Sequence, residues 1–112
     1  MGILIKLLIN TLAVFAAAKI LPGVHVKNFT TAILVAVVLA VLNALLKPVL
    51  IFFTIPVTIL TLGLFLLVIN AVIVLICARL LSPGFAIDGF WYAMLFSIVI
   101  SIISYILERI AG

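Results

Sequence analysis

The sequence predicts an all-α integral membrane protein of four transmembrane helices, arranged as two tandem helical hairpins, and three observations carry that prediction. The first is composition: the 112 residues have a mean hydropathy of +1.78 and only 7% of them are charged. Too few polar side chains are present to cover a water-soluble domain, whereas a bilayer asks for an apolar exterior. The second is segment length. Residues 3–21, roughly 29–47, roughly 60–80 and 90–107 are apolar, and at about 1.5 Å per residue each is long enough to cross a hydrocarbon core of about 30 Å. The third is an internal repeat, in which residues 3–47 return as residues 63–108 with a one-residue shift at Ser82.

The repeat matches Asn10 to Asn70, Ala18 to Ala78, Lys19 to Arg79, Pro22-Gly23 to Pro83-Gly84, Phe29 to Phe90 and Ala32 to Ala93. Fourteen of 45 aligned positions are identical. Matches among Leu, Ile and Val are cheap in so apolar a chain, so the weight rests on the Asn, the Pro-Gly pair, the basic residue and the Phe. The chain therefore reads as one membrane domain, 1–112, made of a repeat unit 3–47, a connector 48–62 and a repeat unit 63–108, with a parallel internal repeat. Four crossings put both termini on one face.

The first segment imitates a secretory leader, with Lys6, an apolar run and Ala16-Ala17-Ala18, but its counterpart 63–81 lies in mid-chain, so a permanent helix is expected. Pro22-Gly23 and Pro83-Gly84 stop the first helix of each unit. After each, apolar and polar residues alternate before an aromatic opens the next helix. These turns are expected to lie extended in the headgroup zone, where Phe29, Phe90, Trp91 and Tyr92 suit an interface. His25 has no Cys, His or carboxylate near it in sequence and reads as an interfacial residue, and Cys77 as a small packing residue.

Three sets of residues are candidates for function. Asn10, Asn43, Asn70 and Ser104 fall at matched distances from the turns, roughly 18 to 21 Å along their helices, and form an expected intramembrane polar layer. Amides in lipid need partners, so the layer reads as interhelical glue or as the lining of a polar path. Ala32, Ala36, Ala40 and Ala44 recur every fourth residue, with Ala93, Ser97 and Ser101 at aligned positions. Small residues at that spacing let helices approach closely in lipid, either within one chain or between subunits. Finally Lys27 aligns with Asp88 and Lys47 with Glu108, which suggests an ion pair at each face.

Orientation is not encoded by charge. Lys6, Lys47 and Arg109 lie on the face of the termini, and Lys19, Lys27 and Arg79 on the other, a tie under the positive-inside rule. The net charge of +4 includes no basic cluster, which argues for anionic headgroups and against nucleic acid as its partner. The connector holds Pro48, Pro56 and, at its end, Gly63, yet is as apolar as the helices. Either it lies along the interface, the preferred reading, or it dips into the bilayer and returns, which requires protein to shelter the freed backbone. A kink or break is expected at Pro56.

The run NALLKPVLIFFTIPVTILTLGLFLLVINA, residues 43–71, together with the PGVHVKNF turn, resembles the bacterial four-transmembrane phage-holin-like family, superfamily IV. That resemblance implies a multi-pass protein of the bacterial cytoplasmic membrane, a homo-oligomer, and a pore or membrane lesion as its activity. Holins commonly end in a strongly charged tail, and this chain ends ERIAG. A structural or envelope-stress membrane protein is the second reading, and a small transporter or lipid-handling protein the third. No cofactor or metal is expected and no enzyme activity, since one His, one Cys and two acids supply neither a nucleophile with its base nor a ligand set.

Overall fold

The computed structural model describes residues 2–61 and 63–111, with the side chain of Thr58 outside the description. Seven elements follow in order: α1 (Ile3–Ile20), β1 (Val24–Val26), α2 (Phe29–Phe53), α3 (Ile55–Leu60), α4 (Phe65–Leu81), β2 (Phe85–Ile87) and α5 (Phe90–Ala111). Helices α1, α2 and α5 are long and apolar enough to cross a membrane; α4, also apolar, has 17 residues. Prolines set two of the helix ends. Leu21 and Ser82 adopt extended backbone, as residues before a proline do, and α1 and α4 stop there. Asn28 starts α2: its side-chain oxygen accepts the Thr31 N–H at 2.8 Å and the Thr31 hydroxyl at 3.0 Å.

The connector is shorter than its sequence suggests. Helix α2 continues through Lys47 and Pro48 to Phe53, so Pro48 stands inside a helix instead of opening a separate segment. The helix survives because a proline removes one N–H and crowds one earlier carbonyl while the flanking hydrogen bonds stay in place. The chain breaks at Thr54, whose N–H and hydroxyl both donate to the Leu50 carbonyl, at 3.1 and 2.6 Å. Pro56 then sits in the first turn of α3, where its lacking N–H costs nothing. Gly63, with φ of 89°, takes the left-handed conformation that turns the chain into α4.

The four long elements form a ring. Helix α1 packs against α2 and α5, and α4 packs against the same two, so α1 and α4 face each other across the bundle, as do α2 and α5. The end of the ring away from the termini is closed by a two-stranded antiparallel ribbon, β1 with β2, in which Val24 pairs with Ile87, His25 with Ala86 and Val26 with Phe85. Two further bonds extend it: Lys27 N–H to the Gly84 carbonyl and Asp88 N–H to the Gly23 carbonyl, both 2.8 Å. Alternation along the strands turns Val24 and Phe85 into the bundle, fully buried, and His25 outward.

Burial is uneven along the helices. The core consists of residues near the ribbon, among them Val14, Ala17, Ala32, Val35, Ile73, Cys77, Ala93 and Phe96, with Phe85 stacked at 5.4 Å on Phe96. Buried residues of α2 end at Leu39 and those of α5 at Phe96, although the helices run on to Phe53 and Ala111. The half of the bundle nearest the termini is therefore loosely covered by its own chain. The same pattern of burial is seen along residues 11–20 and 71–80.

Candidate functional site

The helix asparagines fall in two clusters, Asn10 where α1 meets α5, and Asn43 with Asn70 among α2, α4 and α5. At the α1–α5 seam the Ser104 hydroxyl donates to the side-chain oxygen of Asn10 at 3.1 Å, a bond between residues 94 apart in sequence. Between α2, α4 and α5, Asn43 and Asn70 line one cavity of about 120 Å³, together with Lys47, Ser97 and Ser101. No hydrogen bond joins Asn43 to Asn70 among the described residues, though both line the cavity. Half-buried Ser97 and exposed Ser101 return their hydroxyls to the backbone, donating to Met94 and Ser97 carbonyls at 2.9 Å.

The small-residue ridge divides. Ala32 and Ala36 are buried, at 0 and 2% exposure, as is Ala93, and they let α2 and α5 approach their neighbours closely within the chain. Ala40 and Ala44 lie on the outside. Ala40 belongs to the wall of an open groove of about 410 Å³ between α1 and α2, with Val37, Val41 and Asn10. Neither end of the ridge could be assigned an inside or an outside from spacing, because the four-residue period runs through both.

The charges are partnered differently from their alignment. Asp88 takes His25, Nε2 to Oδ2 at 3.1 Å, and not Lys27, because the antiparallel ribbon carries aligned positions to its opposite ends: Lys27 lies beside Gly84 and Asp88 beside Gly23. Lys47 and Glu108 form no ion pair within 4 Å among the described residues. Their helices, α2 and α5, stand across the bundle from each other. His25 thus has a carboxylate partner 63 residues away. The alternation of VHVK and FAID was the available signal for a ribbon; nothing local specified that the two turns pair.

The sequence of the chain matches, over residues 1–106, the family model described as mycobacterial 4 TMS phage holin, superfamily IV. The protein belongs to this holin family. It is similar to the membrane protein YvlD of Bacillus subtilis, described as uncharacterized, with 36% identity over 105 residues covering 94% of this chain and 88% of that one. It is also similar to SCO3922 of Streptomyces coelicolor, likewise described as uncharacterized, with 43% identity over 81 residues, 70% of this chain and 65% of that one. No solved structure matches. Membership in a four-span holin family agrees with three long apolar helices and a shorter fourth, and makes this a membrane protein.

One consequence of the Asn10–Ser104 bond can be measured. Asn10→Leu would remove the acceptor and leave the Ser104 hydroxyl free to turn back to its own helix, so a loss of about 0.6 to 2 kcal/mol in unfolding free energy is expected. Ser104→Ala in the Asn10→Leu background should then cost nothing more. Unfolding in a denaturing detergent titration, read by helical circular dichroism, gives both values; equal and additive losses would show that the two side chains do not interact.

Proposed function

We propose that this holin-family protein works by self-assembly in the bacterial cytoplasmic membrane, its subunits together enclosing a polar path across the bilayer. The observation that carries this reading is the cavity between α2, α4 and α5, lined by the polar residues Asn43, Lys47, Asn70, Ser97 and Ser101. Exposed Asn43 has an amide that is expensive to leave facing lipid. A single ring of four helices encloses too little volume for an aqueous channel, so a path must be shared between copies. Exposed Ala40 and Ala44, beside the α1–α2 groove, offer a surface on which a second copy's helix can approach closely.

The proposal treats the two hairpins as parallel repeats about an axis near the membrane normal. Support comes from the ribbon, whose central pair, His25 with Ala86, consists of two aligned positions, and from the ring, in which exchanging α1 with α4 and α2 with α5 leaves the neighbours unchanged. The two polar clusters are related by that exchange. Helix α3 is read as interfacial: Ile55, Val57, Ile59 and Leu60 are all exposed, so no protein shelters it as a re-entrant segment would need.

A second reading, a structural or envelope-stress membrane protein without pore activity, is favoured by the small volume of the cavity. A transporter is disfavoured because the cavity's charged residue, Lys47, lies toward the terminal face, with no ionisable group at mid-depth to couple transport. Enzyme activity forms no part of either reading. Leakage of a small dye from vesicles, before and after reconstitution of the protein, tests the proposal. Leakage that rises with a high power of protein density, and falls when Asn43→Leu is introduced, is expected. An oligomer that leaves vesicles tight selects the structural reading, and a stable monomer in mild detergent ends the pore reading.

A further inference from the structure

The ribbon end of the bundle holds an open cavity of about 330 Å³, apart from the polar clusters of the helices. Lys19, His25 and Lys27 form its polar wall, and Phe15, Val26 and Pro83 contribute to the apolar one; no carboxylate lines it. Two lysine ammoniums on a space whose described lining includes no carboxylate suit an anion, and phosphate oxygens accept readily from lysine. We propose that this cavity binds a phosphate ester of net negative charge, with an anionic glycerophospholipid headgroup as its source.

Contacts of different kinds order the three residues. The Lys19 ammonium lies 5.1 Å from the centre of the Phe15 ring, and Phe15 meets Phe29 edge-on at 5.6 Å, so the arm is steered along an aromatic wall. His25 donates from Nε2 to the Asp88 carboxylate, which orients the imidazole while Asp88 itself stays outside the cavity lining. Lys27 follows directly on the strand and is fixed at its backbone by the bond to Gly84. The set is not a by-product of duplication. At the aligned positions of the second unit stand Arg79, Ala86 and Asp88, one cation, one neutral residue and one acid.

Location adds a second argument. The cavity lies beside the last turn of α1, against the turn that leads into α2; the carbonyls that end α1 disfavour an anion, so the lysine ammoniums must carry its binding. Phe29, at the start of α2, marks the interfacial level. A phospholipid whose phosphate reached the Lys19 and Lys27 ammoniums would lay its glycerol and first methylenes against Phe15, Val26 and Pro83. Free phosphate would use the same donors without the apolar wall.

The test is lipid retention by the full chain in mild detergent, followed by native mass spectrometry with phosphatidylglycerol and phosphatidylcholine supplied equally. The parent should keep phosphatidylglycerol in preference. Lys19→Gln and Lys27→Gln should each reduce that retention about fivefold, as expected for one interfacial cation. Arg79→Gln, which removes the same charge from the same face outside the cavity, should leave retention unchanged, and Lys19→Arg, which keeps charge and fold, should retain the lipid. Displacement by excess inorganic phosphate would mean that the phosphate alone suffices; resistance to it would mean that the apolar wall takes part. Equal retention of the two lipids by the parent, or an equal loss in Arg79→Gln and Lys19→Gln, overturns the proposal.

Discussion

Gly23→Ala is expected to lower unfolding free energy by about 1 to 3 kcal/mol, the range for forcing extra atoms into a packed site, while Gly84→Ala should cost far less. Both glycines follow a proline at aligned positions of the two turns, so the sequence treats them alike. Their surroundings differ. A Cβ on Gly23 would collide with the Tyr92 ring, meeting Cγ, Cδ2 and Cε2 together, so the ring cannot escape by moving its far end alone. A Cβ on Gly84 would meet the Thr31 methyl at 3.3 Å, a distance that a small shift relieves. Thr31 and Tyr92 are themselves aligned, which supplies the control: Tyr92→Thr in the Gly23→Ala background should restore most of the loss. Detergent unfolding followed by circular dichroism measures all three. A Gly23→Ala protein as stable as the parent would mean that the ribbon end is not packed as described.

The second large effect separates the two ends of the alanine ridge. Ala36→Leu should destabilise the monomer by about 1 to 3 kcal/mol, because Ala36 is 2% exposed and the added atoms must displace neighbours in the packed core. Ala40→Leu should leave the monomer's unfolding unchanged, since Ala40 faces outward, and should weaken self-association, since a bulky side chain there holds a second helix away from the α1–α2 groove. Unfolding and mass by light scattering in mild detergent read the two effects separately. Loss of assembly in Ala36→Leu without loss of stability would put the interface on the wrong side of the helix. An Ala40→Leu protein that assembles like the parent would move the contact elsewhere.

Both experiments exploit distinctions absent from the aligned sequence. The two glycines share a motif, and the two alanines share a period, yet one member of each pair is tightly packed and the other has more room. Spacing fixes which residues lie on one helix face, but it does not fix which part of that face a neighbour covers, and here coverage stops near Leu39 because the ring is closed only at its ribbon end.

What the sequence by itself determined is the part governed by local chemistry and by the solvent. Hydropathy required a membrane, proline ended α1 and α4, and the motifs around Lys47-Pro48 and Thr61-Leu62-Gly63 identified the family. Asn10 and Ser104 were assigned to one layer by counting residues from the turns, because rise per residue is nearly constant in a helix. Tertiary structure alone decided who meets whom. The pairing of β1 with β2 joined segments 61 residues apart, gave His25 the Asp88 carboxylate and sent Lys27 to the opposite end of the ribbon. The ring order put α2 across from α5, keeping Lys47 and Glu108 apart, and brought Lys19, His25 and Lys27 around one cavity. Such contacts depend on how whole elements pack, and a chain whose exterior and core are both apolar carries no hydropathy contrast to say which faces turn inward.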